Sequence, residues 1–198
     1  MAEYTALHEA ANAVVELLRR EMTPEPIGKR ELIGLCPPYD PEDYQLTVHL
    51  YHVDEDGHRR QPSYGFVPEG TESQRAAPLP LNLHLLITAH SKAPAQTRAA
   101  DEARIFGRAM QVVRDNPTLD GKLLTGSLAG EGAPLALQLE KAMTLDQLTR
   151  AFGGANKPYK LSFGCYVGVV LLESRRLRSV TRVREVRIGT EEKEGNRE

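Results

Sequence analysis

Six histidines and two cysteines are the residues from which a metal or acid/base site in this chain would be built. Zinc-type ions need nitrogen, sulfur or carboxylate ligands on one spot, and short patterns such as Cys-x-x-Cys or His-Glu-x-x-His deliver them from a single element. Neither pattern occurs. His49 and His52 lie three apart in a strand-like run, so simple alternation sends their side chains to opposite faces. His84 and His90 share a face, but six strand residues put roughly 20 Å between them. No metal site and no cofactor is expected, and the histidines read as surface or subunit-interface residues.

Nucleophilic arrangements fare no better. There is no Gly-x-Ser-x-Gly elbow, and Ser162 falls within a strand pattern rather than on a strained turn. Cys36 precedes Pro37 and Pro38 with nothing nearby in sequence to lower its pKa. Cys165 sits in an apolar alternation and reads as a small core residue. Asp54, Glu55 and Asp56 read as a solvated turn leading into Gly57. The Gly-rich stretch from Gly121 to Gly132 lacks the Gly-Lys-Ser that would cradle phosphate. No catalytic residue is expected, and the chain does not read as an enzyme.

Charge is the remaining asymmetry. Arg175, Arg176, Arg178, Arg182, Arg184 and Arg187 crowd thirteen residues, accompanied only by Glu173 and Glu185. Such a strip can guard an edge strand against aggregation, or dock an acidic protein surface. Arg59 and Arg60 add a second basic step. These eight arginines are the candidate partner-binding residues. Six arginines within thirteen residues could also neutralise phosphates. However, neither interleaved aromatics nor a reading helix accompanies them, and the net charge is -2. Nucleic acid is therefore not expected as a partner, although an adaptor that uses the Arg175–Arg187 strip for an acidic protein or a nucleic acid stands as the second reading.

The elements that would position these residues follow from periodicity. Tyr4, Leu7, Ala11, Val14, Val15, Leu18 and Met22 recur at spacings of three and four, predicting a helix from Glu3 to Met22 that Pro24 and Pro26 stop. Strands are predicted over Glu31–Cys36, Gln45–Val53, Leu79–Ser91, Leu135–Leu139, Lys160–Leu172 and Val180–Ile188. In the Lys160–Leu172 strand, Gly164 and Gly168 leave room for another backbone or a large side chain. A second helix spans Thr97–Asn116, with Ile105, Phe106, Ala109, Met110 and Val113 as its core stripe and Asn116-Pro117 as its stop. Thr144 and Gln147 form a capping box opening a short third helix that ends near Phe152. Between Asp54 and Ala77 no periodicity is sustained, so a long loop is expected there, mobile or ordered by a partner. The sum is an α+β fold, a single domain with helices packed on a mostly antiparallel or mixed sheet.

Several of these segments carry motifs in a characteristic order. Leu50-Tyr51-His52-Val53 is followed by Arg59-Arg60-Gln61, and Pro78-Leu79-Pro80 leads into Leu81-Asn82-Leu83-His84-Leu85-Leu86-Ile87-Thr88-Ala89. Next come Gly107-Arg108-Ala109-Met110 and Asp115-Asn116-Pro117, then the Met143–Phe152 helix and Tyr159-Lys160-Leu161-Ser162. In this order, over residues 3 to 172, the chain resembles the small tail-terminator (cap) proteins of extracellular contractile injection systems, the phage-tail-like particles of the antifeeding-prophage type. The resemblance implies a phage-tail-terminator-like domain over residues 1–174 that assembles as a homohexameric ring. It also implies that the ring closes the end of the inner tube and anchors the last sheath ring, with tube protein and sheath protein as partners. The arginine-rich extension over 175–188 and the charged tail over 189–198, expected to be disordered, have no counterpart in that pattern.

The bulk composition, 40% hydrophobic and 26% charged, is ordinary for a soluble globular protein. With 198 residues the chain can bury roughly 70% of its unfolded surface and needs neither metal nor disulfide to fold. The absence of Trp and an aromatic content of 6% argue against an aromatic ligand cage or base-stacking platform. The N-terminal stretch lacks the basic start of a secretory signal, and no apolar run reaches the ~20 residues of a membrane span. Synthesis and assembly in the cytoplasm are expected, with no membrane partner, as part of a particle that is then released.

Overall fold

The computed structural model describes residues 3–57, 65–69, 72–130, 134–141, 144, 146, 148, 152 and 159–180. Its elements in chain order are α1 (Ala6–Met22), β1 (Ile33–Leu35), β2 (Leu46–Glu55), β3 (Phe66–Glu69), β4 (Ser73–Ala76), β5 (Leu79–Ala89), α2 (Ala95–Asp115), β6 (Thr118–Leu119), β7 (Leu135–Leu139), β8 (Ser162–Leu172) and β9 (Leu177–Ser179). Six strands form one sheet in the order β1-β2-β5-β8-β7-β6, and β3-β4-β9 form a second, small one. β1 lies parallel to β2 while the other pairs of the main sheet run antiparallel. The expected α+β architecture with a mixed sheet is the one observed.

β5 sits at the middle because its alternation serves two faces. Leu81, Leu83, Leu85, Ile87 and Ala89 point into the main core with Leu46 and Val48 of β2 and Cys165, Val167 of β8. α1 covers this face through Ala10, Ala13, Val14, Leu17 and Leu18, all essentially inaccessible to solvent. α2 adds Ile105, Ala109, Val112 and Val113. Burying one Leu or Ile side chain is worth about 1.5–3 kcal/mol, so this layer outweighs any single surface contact in the molecule. Asn116 closes α2 by donating its side-chain amide to the Val112 carbonyl at 2.8 Å.

α1 is also tied to the Gly-rich connection. Glu9 accepts hydrogen bonds from the Thr5 hydroxyl (2.7 Å), the Ser127 hydroxyl (2.7 Å) and the Leu128 backbone N–H (3.1 Å). Gly126, at φ 61°, passes so close to this carboxylate that a β-carbon would stand 2.7 Å from Glu9 Cδ.

Two expectations are corrected. The segment 54–77 is not one long loop: Asp54 and Glu55 belong to β2, Asp56 is buried, and Phe66–Glu69 and Ser73–Ala76 pair as a hairpin. That hairpin is completed by β9, more than a hundred residues away in sequence, and by the Arg75 guanidinium donating to the Ser174 carbonyl at 2.8 Å. Four-residue strands carry too few alternations to be visible, and their partner is non-local. A strand also forms within the arginine run at Leu177–Ser179; residues 181–188 of the predicted Val180–Ile188 strand, and the charged tail over 189–198, lie outside the described residues. Tyr4 stands before the first turn of α1 and is 76% exposed, so it does not belong to the core stripe. Of the third helix, Asp146 and Leu148 are helical, and Leu148 and Phe152 N–H donate to the carbonyls four residues earlier; the Gln147 half of the capping box lies outside the described residues.

Candidate functional site

A one-residue bulge organises the sheet face turned away from α1 and α2. Leu50 pairs with Leu85, but the next pair is His52 with His84, so Tyr51 is an extra residue in β2. A bulge shifts the alternation by one and lets neighbouring side chains share a face. His49 stands opposite Leu86 and His52 opposite His84, and both partners lie on the same face of β5. The expectation that His49 and His52 point to opposite faces is therefore corrected.

On this face His84 is the centre of a polar chain. Its Nε2 meets Asp54 Oδ1 and its Nδ1 meets Glu140 Oε1, both in close contact. The Tyr51 hydroxyl donates to the other oxygen of Glu140 at 2.7 Å. Asn82 donates its amide N–H to Asp54 Oδ2 at 3.3 Å and accepts from the Tyr166 hydroxyl at 2.8 Å. The His84 ring packs edge-on against Tyr51 and Tyr166, with ring centres 6.1 and 6.0 Å away, and tilts against His52 at 5.3 Å. Two glycines of β8 make the room. A β-carbon on Gly164 would stand 2.9 Å from Glu140 Cδ, and one on Gly168 would strike Tyr166 and lie 3.0 Å from Asn82 Oδ1. The space expected at these glycines thus serves large side chains.

The electrostatics follow from this wiring. Burial alone would discharge His84, but its hydrogen bonds to Glu140 and Asp54, and their charges, outweigh burial and raise its pKa. Burial likewise works against ionised Asp54, yet the hydrogen bonds from His84 and Asn82 win and lower its pKa. Burial, then the hydrogen bond to Glu140, pushes the Tyr51 phenol well above its ordinary range. An imidazole with both nitrogens engaged by carboxylates retains its proton instead of passing it on. Both thiols are held towards their protonated form: burial first, then the Glu140 charge, raises Cys165, and burial with Glu42 and Asp40 raises Cys36. Ser162 shares a buried hydrogen bond of 2.9 Å with Thr88. His52, Asp54 and His84 each place one ligand atom within 4.8 Å of the others. Sequence spacing missed this group because the bulge and the cross-strand register create it.

At the small sheet, Arg175, Arg176 and Arg178 are exposed on the approach to β9 and within it. Arg178 lies over the Phe66 ring at 4.0 Å and donates twice to Gln74 Oε1, at 2.9 and 2.6 Å. Arg176 reaches the same ring at 5.5 Å. Arg175 lines a recess of about 350 Å³ with Tyr4, Arg75 and Glu173. Among the described residues β9 pairs only with β4, leaving its outer edge open beside exposed Leu177. Arg59, Arg60, Arg182, Arg184 and Arg187 lie outside the described residues, and the polar chain and the arginine edge share no residue.

Comparison with known proteins places this architecture. The PVC sheath/tube terminator of an extracellular contractile injection system, solved in its extended state, shares the fold with a TM-score of 0.64 and 18% identity, over 94% of this chain and 63% of that one. The anti-feeding prophage tube-terminating cap gives a TM-score of 0.58 and 19% identity, over 90% of this chain and 59% of that one. The chain thus spans about three fifths of the length of the two solved proteins. A comparison with curated protein sequences finds no match. The family model described as the Pvc16 N-terminal domain matches residues 9–185, nearly the whole chain, and the protein belongs to that family.

Proposed function

We propose that this protein is a tail terminator, a cap that closes the end of the inner tube of a contractile injection particle and anchors the last sheath ring. The observation that carries the reading is the fold shared over 94% of the chain with a sheath/tube terminator, within a family matched over residues 9–185. The protein acts by assembly and performs no catalysis. The wiring of His84, the raised thiols and the satisfied Ser162 support this.

The cap is a homohexameric ring. Rings are closed by head-to-tail interfaces between two different patches of one subunit, and this molecule offers unlike patches at β9 and along the outer side of the bulged stretch of β2. An open strand edge can also take up an extended segment of another chain through backbone hydrogen bonds. We assign that role to the β9 edge, with Arg175, Arg176 and Arg178 drawing in an acidic segment of sheath or tube protein. Assembly takes place in the cytoplasm, and the cap leaves the cell with the particle.

Mass measurement of the purified chain with and without tube protein tests the reading. A six-subunit species that forms alone or on tube ends agrees with it. A monomer that ignores tube protein but retards nucleic acid in a salt-dependent manner would replace it with the adaptor.

A further inference from the structure

We infer that His52, Asp54 and His84 form a binding site for a zinc-type divalent transition ion on the sheet face turned away from α1 and α2. This inference is independent of the proposed cap role. Three geometric facts carry it. The Tyr51 bulge puts His52 directly across from His84, and cross-strand partners hold their β-carbons about 5 Å apart. Asp54 pairs with Asn82, two residues from His84 on the same face. One ligand atom from each of the three residues already lies within 4.8 Å of the others, so small side-chain rotations complete the cluster.

The surroundings match what a bound ion requires. A ligating imidazole is oriented by a carboxylate on its second nitrogen, which fixes the tautomer and aims the free nitrogen at the metal. Glu140 meets His84 Nδ1 in this way and is itself held by the Tyr51 hydroxyl at 2.7 Å. Its place across β8 depends on the missing β-carbon of Gly164. His84 Nε2 and Asp54 Oδ1 are now hydrogen-bonded to each other, and an ion takes the place of the proton between them. Two imidazoles and one carboxylate select zinc and its transition-metal neighbours over calcium or magnesium, which prefer oxygen alone. His52 is exposed, so the fourth position opens to solvent and takes water in the isolated chain. Bound there, the ion clamps the bulged part of β2 to β5.

Zinc titrated calorimetrically into the full, metal-free chain near neutral pH tests the site. One saturable equivalent is expected. His52→Ala removes an exposed ligand without touching the core, and Asp54→Asn keeps shape while losing charge; each should weaken binding by at least about ten-fold, the scale on which even an outer partner of a ligand counts. His49→Ala, on the same face but outside the cluster, should bind as the parent does. Absence of saturable binding, parental affinity in His52→Ala, or an equal loss in His49→Ala would overturn the assignment.

Discussion

The carboxylate of Glu140 lies across Gly164, filling the space where a β-carbon would stand. Gly164 belongs to β8 and pairs with Leu86 of β5, so the glycine lets an acid from the end of β7 reach the middle of the sheet face and engage His84. Overfilling a packed site of this kind costs about 1–3 kcal/mol. Gly164→Ala should therefore lower stability to urea by that amount. In a Glu140→Ala background the same change should cost at least about 1 kcal/mol less, because neighbours in contact do not act additively. Equal costs in both backgrounds would mean that Glu140 is not what fills the space.

His90 makes stability depend on acid. It is 6% exposed, and the Thr47 hydroxyl lies 3.0 Å from its Nε2. Burial first, then the Lys160 ammonium, pushes its pKa down to about 4, with Glu102 opposing weakly. Between about 4 and the ordinary 6.5, the unfolded chain holds a proton that the folded chain lacks. Stability must then rise with pH across that window and fall as pH drops from 6.5 to 4, by about 3 kcal/mol in total from this group. His90→Gln should flatten that part of the curve in urea titrations at a series of pH values. A variant curve parallel to the parent's would show that His90 does not titrate in this way.

Glu9 and Gly126 predict a second, more acidic transition. Burial disfavours the Glu9 carboxylate, but the hydrogen bonds from Thr5, Ser127 and Leu128 outweigh it and lower its pKa. Its contribution is present above the ordinary glutamate range and is lost as pH falls through the lowered value. Glu9→Gln should remove this dependence and cost about 1–3 kcal/mol at neutral pH. Gly126→Ala should cost a further 1–2 kcal/mol, roughly, because its left-handed backbone is strained for any residue with a β-carbon. Denaturation of the two variants at pH 7 and in acid checks both values.

The arginine edge should matter for assembly and little for folding. Arg178 is exposed, and its contact with Phe66 is of the kind worth about 0.5–1 kcal/mol at an exposed site. Reversing charge at Arg175 and Arg178 should leave the melting transition nearly in place while preventing attachment to sheath or tube in a co-sedimentation assay. Normal attachment would remove the strip from the partner-binding surface.

α1, β5, α2 and β8 were legible because each is long enough for its own period to declare itself, as in Leu81-Leu83-Leu85-Ile87 or Val14-Leu17-Leu18. Gly164 and Gly168 announced a close approach, though not that Glu140 and Tyr166 would make it. The small sheet was hidden because β3, β4 and β9 are three or four residues each and meet only in three dimensions. The His52–His84 pair was hidden for a sharper reason: one extra residue at Tyr51 reverses the alternation, and nothing in Leu50-Tyr51-His52-Val53 marks it. Of the arginines predicted to bind partners, only Arg175, Arg176 and Arg178 can be placed, on the open edge.

Negative-stain microscopy of tube-protein assemblies, with and without this chain, tests the cap most directly. The account predicts a six-fold ring seated on one end of each tube and tubes that stop growing there. Bare tube ends of unchanged length in the presence of the folded protein would contradict it.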